Sequence, residues 1–221
     1  MQQGPPEGLR ARKRREIRKR ISDTATRLFM GRGFDAVSVE EIARAADVSK
    51  ATVFNYFDCK EDLLLDRAPE LIEHVRRAMN SARAIGALPA LRDALLELVM
   101  VGSPLSGAVP QIKWFWPLVT STPALRARAQ YHGEAFEAEL ARLLKLNGLG
   151  KDAPLVAAMA VAVWWFAWRR AVEQVQAGRV VSRVRAEQRA TIERAFAALT
   201  IAFPPRTSVR RTAGSSRQQH A

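Results

Sequence analysis

Apolar residues recur at intervals of three and four along most of the 221-residue chain, and this spacing constrains the fold more than any other feature. Such intervals place side chains on one face of an α-helix, whereas a half-buried strand requires strict alternation, which is not found convincingly anywhere. The sequence therefore predicts an all-α protein of about nine helices. Hydrophobic residues make up 48% of the chain, which suffices for a substantial core.

Capping residues and helix breakers divide this helical pattern into segments. Ser38 and Glu41 form a predicted capping box, Ser49 is a second predicted cap, and Gly31-Arg-Gly33 ends the first helix. The segments predicted to be helical are 12–30, 38–46, 49–56, 60–84, 91–101, 125–146, 153–177 and 182–203, with Ser182 as the cap of the last. The region between residues 101 and 125 carries four prolines and is predicted to be broken.

Residues 38–57 have the anatomy of a helix-turn-helix. Two short capped helices are joined through Asp47-Val48, and small Ala43 and Ala46 allow the pair to approach closely. The preceding helix supplies a third element that completes a small core. In such a module the second helix of the pair enters the major groove of DNA.

A resemblance to a known family becomes specific at residues 38–64, SVEEIARAADVSKATVFNYFDCKEDLL. This string closely resembles the DNA-binding signature of the tetracycline-repressor (TetR) family of transcriptional regulators, T-V-x-x-I-A-x-x-A-G-V-S-x-G-T-L-Y-x-Y-F-x-x-K-E-x-L. The matching positions are Val39, Ile42, Ala43, Ala46, Val48, Ser49, Thr52, Tyr56, Phe57, Lys60, Glu61 and Leu63. The resemblance implies a regulator rather than an enzyme, with an N-terminal three-helix DNA-binding domain followed by a helical bundle for ligand binding and dimerisation.

The chain is accordingly divided into four predicted parts. Residues 10–62 are the predicted helix-turn-helix domain, and residues 63–203 are the predicted ligand-binding and dimerisation domain. Residues 1–9 are rich in glycine and proline, and residues 204–221 hold almost no apolar side chains. Both of these end segments are predicted to be disordered.

Three positions depart from the signature. Asp47 replaces the usual glycine of the turn, and aspartate tolerates a left-handed backbone better than most residues. Ala51 replaces another frequent glycine and can offer its methyl group to a thymine. Phe54 replaces a frequent tyrosine, so a hydroxyl that could reach a phosphate is absent. None of these departures argues against DNA binding.

The second short helix carries the residues predicted to read bases, which are Lys50, Ala51, Thr52 and Asn55. A lysine suits guanine, an asparagine suits adenine, and methyl groups suit thymine. The predicted phosphate contacts are Ser38, Tyr56, Lys60, Arg14 and Arg18, of which Tyr56 and Lys60 follow from the resemblance. The alternative is that these residues are caps and solvated surface of a purely structural module.

Eight Lys or Arg side chains crowd into residues 10–20 against one acid. The whole chain carries 35 basic and 22 acidic residues, a formal charge of +13, which suggests an anionic partner such as nucleic acid or a lipid surface. We expect the basic run to follow the DNA backbone or to enter a minor groove as an arm. The alternative is a solvated charge run.

One helix-turn-helix reads only a few base pairs, so a homodimer on a pseudo-palindromic operator is expected. The resemblance places the dimer face on the last two helices. The residues predicted to form it are Val156, Ala160, Val163, Ala167, Ile192, Phe196 and Leu199. The alternative is that these side chains close the core of the monomer.

Aromatic residues cluster at 114–116 and 164–168 and are predicted to line a pocket for a small lipophilic or aromatic effector. The candidate lining residues are Met100, Trp114, Phe115, Trp116, His132, Trp164, Trp165 and Trp168. The alternative is an ordinary aromatic core.

Other kinds of site receive little support from the sequence. Three histidines and one cysteine predict no metal site and no cofactor, and Cys59 beside Lys60 could have a lowered thiol pKa. The uncharged stretch 153–168 is too short to cross a bilayer, so no membrane partner is expected. Since no signal-peptide pattern opens the chain, it is expected to be cytoplasmic and associated with the nucleoid.

The most favoured function is a homodimeric repressor that a small ligand releases from its operator. Two alternatives remain open at this point: a nonspecific nucleoid-type DNA-binding protein, and an all-helical lipid-binding or enzymatic domain with a DNA-binding head. A strong salt dependence without preference among duplexes would favour the first, and turnover of a bound ligand would favour the enzymatic form of the second.

Overall fold

The structure is a computed structural model that describes residues 8–80 and 82–204. Within these residues the protein contains ten α-helices and no β-strand, which confirms the all-α prediction. The helices are α1 (Leu9–Arg32), α2 (Val39–Ala45), α3 (Lys50–Phe54), α4 (Ala68–Met79), α5 (Ala82–Ile85), α6 (Ala87–Met100), α7 (Ile112–Ser121), α8 (Pro123–Leu144), α9 (Ala153–Gln176) and α10 (Val181–Ala202). Short 3₁₀ turns occupy Glu61–Leu63, Pro104–Ser106 and Gly150–Asp152.

Several helix boundaries differ from the sequence predictions. α1 begins at Leu9, so the basic run is helical, and the predicted lead 1–9 and tail 204–221 otherwise lie almost entirely outside the described residues. The predicted helix 60–84 is wrong, because Pro69 starts α4 afresh. A proline lacks an amide donor and clashes with the carbonyl four residues earlier, so a helix cannot continue into it without a kink.

Two further predictions about the later helices are corrected. The proline-bearing region contains α7, which includes Pro117 within its length. The side-chain hydroxyl of Thr120 donates to the carbonyl oxygens of Trp116 and Pro117, at 3.0 and 3.2 Å. Ser182 does not cap α10, because the helix begins one residue earlier, after Val180.

The protein has two hydrophobic cores. The smaller is formed by α1, α2, α3 and the turn after them, and includes Ile21, Phe29 and Ile42; Val119 of α7 and Leu125 of α8 also belong to it. The larger lies among α4, α6, α8, α9 and α10, where α9 packs between α8 and α10. α7 joins the two cores because partly buried aromatic side chains of this helix pack against both.

Most side chains predicted to form a dimer face are buried inside the single chain. Six of the seven have 0–4% of their surface exposed, and only Val163 is partly exposed. For these six residues the prediction is wrong, because small and large apolar side chains on facing helices interdigitate within the monomer core. The outward face of α9 is instead formed by Leu155, Met159 and Phe166, which are 57%, 38% and 52% exposed.

The apolar composition of α9 is explained by this packing. Within the described residues, the helical stretch Pro123–Gln176 contains one window long and apolar enough to cross a membrane, and half of that window is buried inside the protein. Val156, Ala160 and Trp164 belong to the larger core. The helix therefore has buried neighbours that account for its composition without a bilayer.

Candidate nucleic-acid interface

The start of α2 is fixed by the predicted capping box. The Ser38 hydroxyl accepts the Glu41 backbone N–H at 3.1 Å, and the Glu41 carboxylate accepts the Ser38 backbone N–H at 2.8 Å. The Ser38 amide, together with the Arg32 guanidinium and the Ser38 hydroxyl, lowers the pKa of Glu41 to about 2. The carboxylate is therefore ionised at neutral pH and holds the first turn of α2 in place.

The turn between α2 and α3 has the left-handed residue that the sequence predicts. Asp47 adopts φ 53°, and it is the one non-glycine residue with a positive φ among those described. The Val48 backbone N–H then donates to the Ala43 carbonyl at 3.0 Å, which closes the turn. Ser49 caps α3 by accepting the Thr52 N–H at 3.0 Å, as predicted.

The buried faces of the two short helices determine which side chains of α3 face outward. Ile42 and Ala43 of α2, and Val53 of α3, are at most 3% exposed and pack into the smaller core. Because α3 has only five residues, fixing Val53 leaves the opposite face to solvent. The exposed side chains at and just after α3 are Lys50, Ala51, Phe54 and Asn55.

Two residues on this surface were not identified as site residues from the sequence. Glu40 of α2 forms an ion pair with the Lys50 ammonium, and the Lys50 hydrogen bond lowers the pKa of Glu40. Phe54 is 45% exposed, and its ring centroid lies 6.0 Å from the Lys50 nitrogen. The four-residue spacing of Lys50 and Phe54 on one helix face was a signal that could have revealed the second of these.

The remaining predicted DNA contacts already have partners within the protein. The Thr52 hydroxyl lies 2.8 Å from the Ser49 hydroxyl, within hydrogen-bonding distance. The Lys60 ammonium donates to the Phe34 carbonyl oxygen at 2.7 Å and lies 4.3 Å from the Phe34 ring centroid. Thr52 and Lys60 thus contribute to the local fold. If either side chain contacted DNA, it would do so in addition to its bond within the protein.

Arg18 is placed differently from the prediction of a phosphate contact. Its terminal nitrogens donate to the carbonyl oxygens of Tyr56 at 2.5 Å and Asp66 at 3.1 Å, and its guanidinium carbon lies 4.3 Å from the Phe57 ring centroid. These bonds occupy both ends of the guanidinium fork. Arg18 therefore clamps α1 to the segment after α3 instead of facing a phosphate.

An open groove of about 310 Å³ lies beside this clamp. It is lined by Ala11, Arg14, Arg15, Arg18 and Tyr56. The Arg14 guanidinium carbon is 5.8 Å from the Tyr56 ring centroid, so these two predicted phosphate contacts lie together just beyond the C-terminal end of α3. Because Arg18 is occupied by the clamp, Arg14 and Arg15 are the arginines that make this groove suited to an anion such as a phosphate.

The first half of α1 extends beyond the smaller core. Ile17 is the first residue of α1 that packs against that core, so residues 9–16 form a helical extension of about 12 Å at 1.5 Å per residue. Arg10, Arg12, Lys13 and Arg14 are exposed along it. The basic run is thus a helical extension of the module that carries α3.

The structure brings together only some of the residues predicted to line an effector pocket. Trp168 contacts Trp116 and Trp165 edge-on, with ring centroids 4.7 and 5.3 Å apart, and buried Trp164 lies in the same core. Trp114 and Phe115 are 5.9 Å apart and pack against the smaller core. The other two candidates do not join this cluster: His132 contacts Asp62, and Met100 is 59% exposed at the end of α6.

Cys59 does not have the lowered pKa that its neighbour Lys60 suggested. Burial, together with the adjacent acidic side chains, raises the pKa of its thiol to about 11. The thiol donates to the Asp62 carboxylate at 3.3 Å. Among residues 8–80 and 82–204, no group of three or more His, Cys, Asp or Glu side chains is arranged to hold a metal ion.

A capped helix-turn-helix with an outward polar and aromatic face, flanked by an arginine-lined groove, defines the class of helix-turn-helix DNA-binding proteins. The chain matches the family described as "Bacterial regulatory proteins, tetR family" over residues 21–66. It is also 31% identical over 183 residues to the HTH-type transcriptional regulator TcmR of Streptomyces glaucescens, covering 80% of this chain and 76% of that protein. The chain belongs to the TetR family of transcriptional regulators, which are not enzymes.

Other relatives and solved structures agree with this assignment. An uncharacterized HTH-type transcriptional regulator of Mycobacterium tuberculosis is 32% identical over 155 residues, which cover 66% of this chain and 69% of the relative. A crystal structure of a TetR-family regulator from Mesorhizobium loti has a TM-score of 0.53 at 20% identity, over 87% of this chain and 98% of its own. The crystal structure of a transcriptional regulator from Pseudomonas aeruginosa has a TM-score of 0.52 at 19% identity, over 86% of this chain and 94% of its own. These two structures share the fold.

Proposed function

We propose that this regulator is a homodimeric repressor that binds a palindromic operator and is released by a small lipophilic or aromatic ligand. It would act in the cytoplasm, on the nucleoid. The observation that carries the proposal is the outward face of α3. Side chains suited to contact bases are exposed on this face, while the opposite face of the helix packs into the smaller core. A short helix held in this way can be inserted into a major groove without rearranging.

Base reading is assigned to the exposed side chains of this face. Lys50 suits the O6 and N7 acceptors of guanine, and Asn55 suits the N6 and N7 atoms of adenine. Ala51 and exposed Phe54 offer apolar contact to the methyl group of thymine. Thr52 is a weaker candidate, because its hydroxyl already lies within hydrogen-bonding distance of Ser49.

Phosphate contacts are assigned to the groove and the helix ends around α3. Arg14 and Tyr56 lie together in the arginine-lined groove, and the exposed part of α1 extends the positive surface beyond it. Ser38 and Lys60 remain candidates at the start of α2 and after α3. Such contacts fix the register of the protein on the duplex and carry no direct sequence information.

Dimerisation is assigned to the outward face of α9. Leu155, Met159, Ala162 and Phe166 follow one another at helical spacing along about 17 Å and are exposed. Beside Phe166 lies a cleft of about 60 Å³ lined in part by Gln188, whose buried side-chain oxygen has no hydrogen-bond partner within the described chain. Pairing of the apolar stripe with the same stripe of a second subunit would remove its surface from water.

Effector binding is assigned to the aromatic cluster of the bundle. Trp116 of α7 contacts Trp168 of α9, and Phe115 and Trp116 also pack against the smaller core. A flat or lipophilic ligand that separates Trp116 from Trp168 would therefore shift α7 against the DNA-binding helices. That displacement is a physical route by which ligand and DNA could compete.

A selection of bound duplexes from a random pool tests the proposal. At ordinary ionic strength we expect the protein to enrich two copies of one short motif related by two-fold symmetry. Enrichment of a single motif would contradict the dimer, and no enrichment combined with a steep salt dependence would identify a nonspecific DNA-binding protein. For the effector, fatty acyl and polycyclic aromatic compounds can be screened by tryptophan fluorescence, where quenching should accompany weaker binding to the selected duplex.

A further inference from the structure

The junction between the DNA-binding helices and the bundle is built around one buried carboxylate. Asp62, in the 3₁₀ turn that follows α3, is 7% exposed. From α8, Arg128 donates to it through Nε at 2.8 Å and through Nη2 at 2.5 Å, and His132 Nε2 lies 2.9 Å from the carboxylate. Since Arg128 and His132 are four residues apart on α8, the carboxylate is held along a full helical turn.

The groups facing this carboxylate stabilise its charge. Burial raises the pKa of Asp62, but hydrogen bonds from Arg128, His132 and Cys59 outweigh this effect, so the pKa lies below its ordinary value. Asp58 also approaches Arg128, at 3.7 Å, and the Tyr131 ring centroid is 4.6 Å from the Arg128 guanidinium carbon. The carboxylate is therefore ionised at neutral pH and paired with donors of the bundle.

The geometry of these bonds fixes an orientation as well as a distance. A bidentate Arg–carboxylate pair holds two atoms of each partner, so the 3₁₀ turn cannot rotate freely against α8. The turn in turn belongs to the smaller core through Leu63, which is fully buried together with Phe57 after α3. The direction in which α3 points is thus tied to α8 through Asp62.

The segment after α3 is also held from α1. Arg18 donates to the carbonyl oxygens of Tyr56 and Asp66, and the Ser22 hydroxyl donates to the Asp66 carboxylate at 2.7 Å. The three DNA-binding helices and this segment therefore form one body. Asp62 is the buried charge through which that body is bonded to the bundle.

We propose that Asp62, held by Arg128 and His132, is a positioning residue that determines which half-site spacing the regulator accepts. This inference rests on the proposed function, because spacing is read only when two subunits bind one operator. In a dimer joined through the bundle, the separation of the two α3 helices depends on how each DNA-binding body is oriented on its bundle. Loosening that orientation should leave each half-site readable while more spacings are tolerated.

The test uses duplexes that carry two selected half-sites separated by spacers of different length, together with a duplex that carries one half-site. We expect the full-length wild type to lose about tenfold or more in affinity when the spacer changes by one or two base pairs, within the usual range of coupling between sites. Asp62→Asn should lose about threefold or less over the same series and bind the single half-site as the wild type does. The matched control is Asp93→Asn, which removes the same charge from an exposed ion pair on α6.

A second variant covers the case in which Asp62→Asn does not fold. Arg128→Lys keeps the positive charge and removes the planar fork, so it should show an intermediate spacing tolerance. Wild-type spacing selectivity in both variants would overturn the inference, as would an equal loss of affinity on every duplex, which would mean a stability effect only. If the wild type itself is indifferent to spacing, the proposed dimer fails, and that result is distinguishable from a failure confined to the variants.

Discussion

The outward faces of α3 and α9 are both exposed, yet their chemistry is opposite. At α3, Lys50 and Asn55 present polar groups beside the single exposed ring of Phe54. At α9, Leu155 and Phe166 are each more than half exposed and belong to an apolar stripe. A polar face that donates and accepts hydrogen bonds suits the edges of bases, whereas an apolar stripe gains free energy only when another apolar surface covers it.

The two faces also differ in how the chain holds them. α3 has five residues and depends on Ser49, the Asp47 turn and the core contact of Val53 for its position. α9 has 24 residues, many of them buried among neighbouring helices. The base-reading surface is thus a short element fixed by local capping, and the apolar surface is one side of a long core helix. Substitutions on the two faces should therefore have different consequences.

A charge on the apolar stripe should separate the subunits. Phe166→Arg places an unpaired cation in the proposed interface, and the dimer dissociation constant should rise about 100-fold or more, as for the loss of an interface hot spot. Sedimentation over a concentration series measures the change. Ile85→Arg is the control, because Ile85 is 51% exposed and Phe166 is 52% exposed. A dimer of unchanged affinity in Phe166→Arg would place the interface elsewhere.

Truncation of a polar side chain on the α3 face should relax sequence preference at one position. Asn55→Ala removes a bidentate partner of adenine, worth about 1–3 kcal/mol of discrimination at one base pair of each half-site. Binding to the selected duplex and to its single-base variants measures the loss. Asn80→Ala removes the same side chain from an exposed position at the end of α4 and should bind as the wild type does. Unaltered selectivity in Asn55→Ala would remove Asn55 from the base-reading set.

Removal of the acid that pairs with Lys50 should strengthen binding to DNA by a similar factor for every duplex sequence. In Glu40→Gln the surface beside α3 loses the negative charge that pairs with Lys50, so repulsion of phosphate falls and affinity for all duplexes should rise by about two- to fivefold, the range of a surface ion pair. The slope of log affinity against log salt should steepen by about one counterion. Glu193→Gln removes an equivalent carboxylate paired with Arg189 on α10 and should change neither quantity. Weaker binding by Glu40→Gln would instead indicate that Glu40 contacts DNA directly.

Acid should weaken the capping box of α2. The pKa of Glu41 is lowered from 4.5 to about 2, so its contribution to stability is complete above the ordinary pKa and is lost as the pH falls toward 2. As the pH is lowered from 5 to 2, the midpoint temperature of thermal unfolding should therefore fall less steeply in Glu41→Gln than in the wild type. The variant keeps a hydrogen-bonding side chain but has no titrating group at this position. Parallel declines in the two proteins would mean that Glu41 contributes no pH dependence.

Local signals in the sequence were sufficient for the DNA-binding module. Ser38 with Glu41, Asp47 and Ser49 each act within a few residues of their own position, and all three features are present as predicted. Pro69 is a local signal of the same kind, since it ends any continuous helix from Lys60 onward.

The all-α fold, the helix-turn-helix and the outward positions of Lys50, Ala51 and Asn55 on α3 could be predicted from the sequence, because periodicity, caps and turn residues act over one or two turns of chain. Packing between distant segments settles which side of α9 is buried, that Arg18 clamps the backbone, and that Asp62 meets α8. Both faces of α9 are apolar in sequence, so its periodicity could not distinguish the monomer core from the exposed stripe. The partners of Arg18, and those of Asp62 on α8, are 38 to 70 residues away along the chain, and such pairings follow from packing alone.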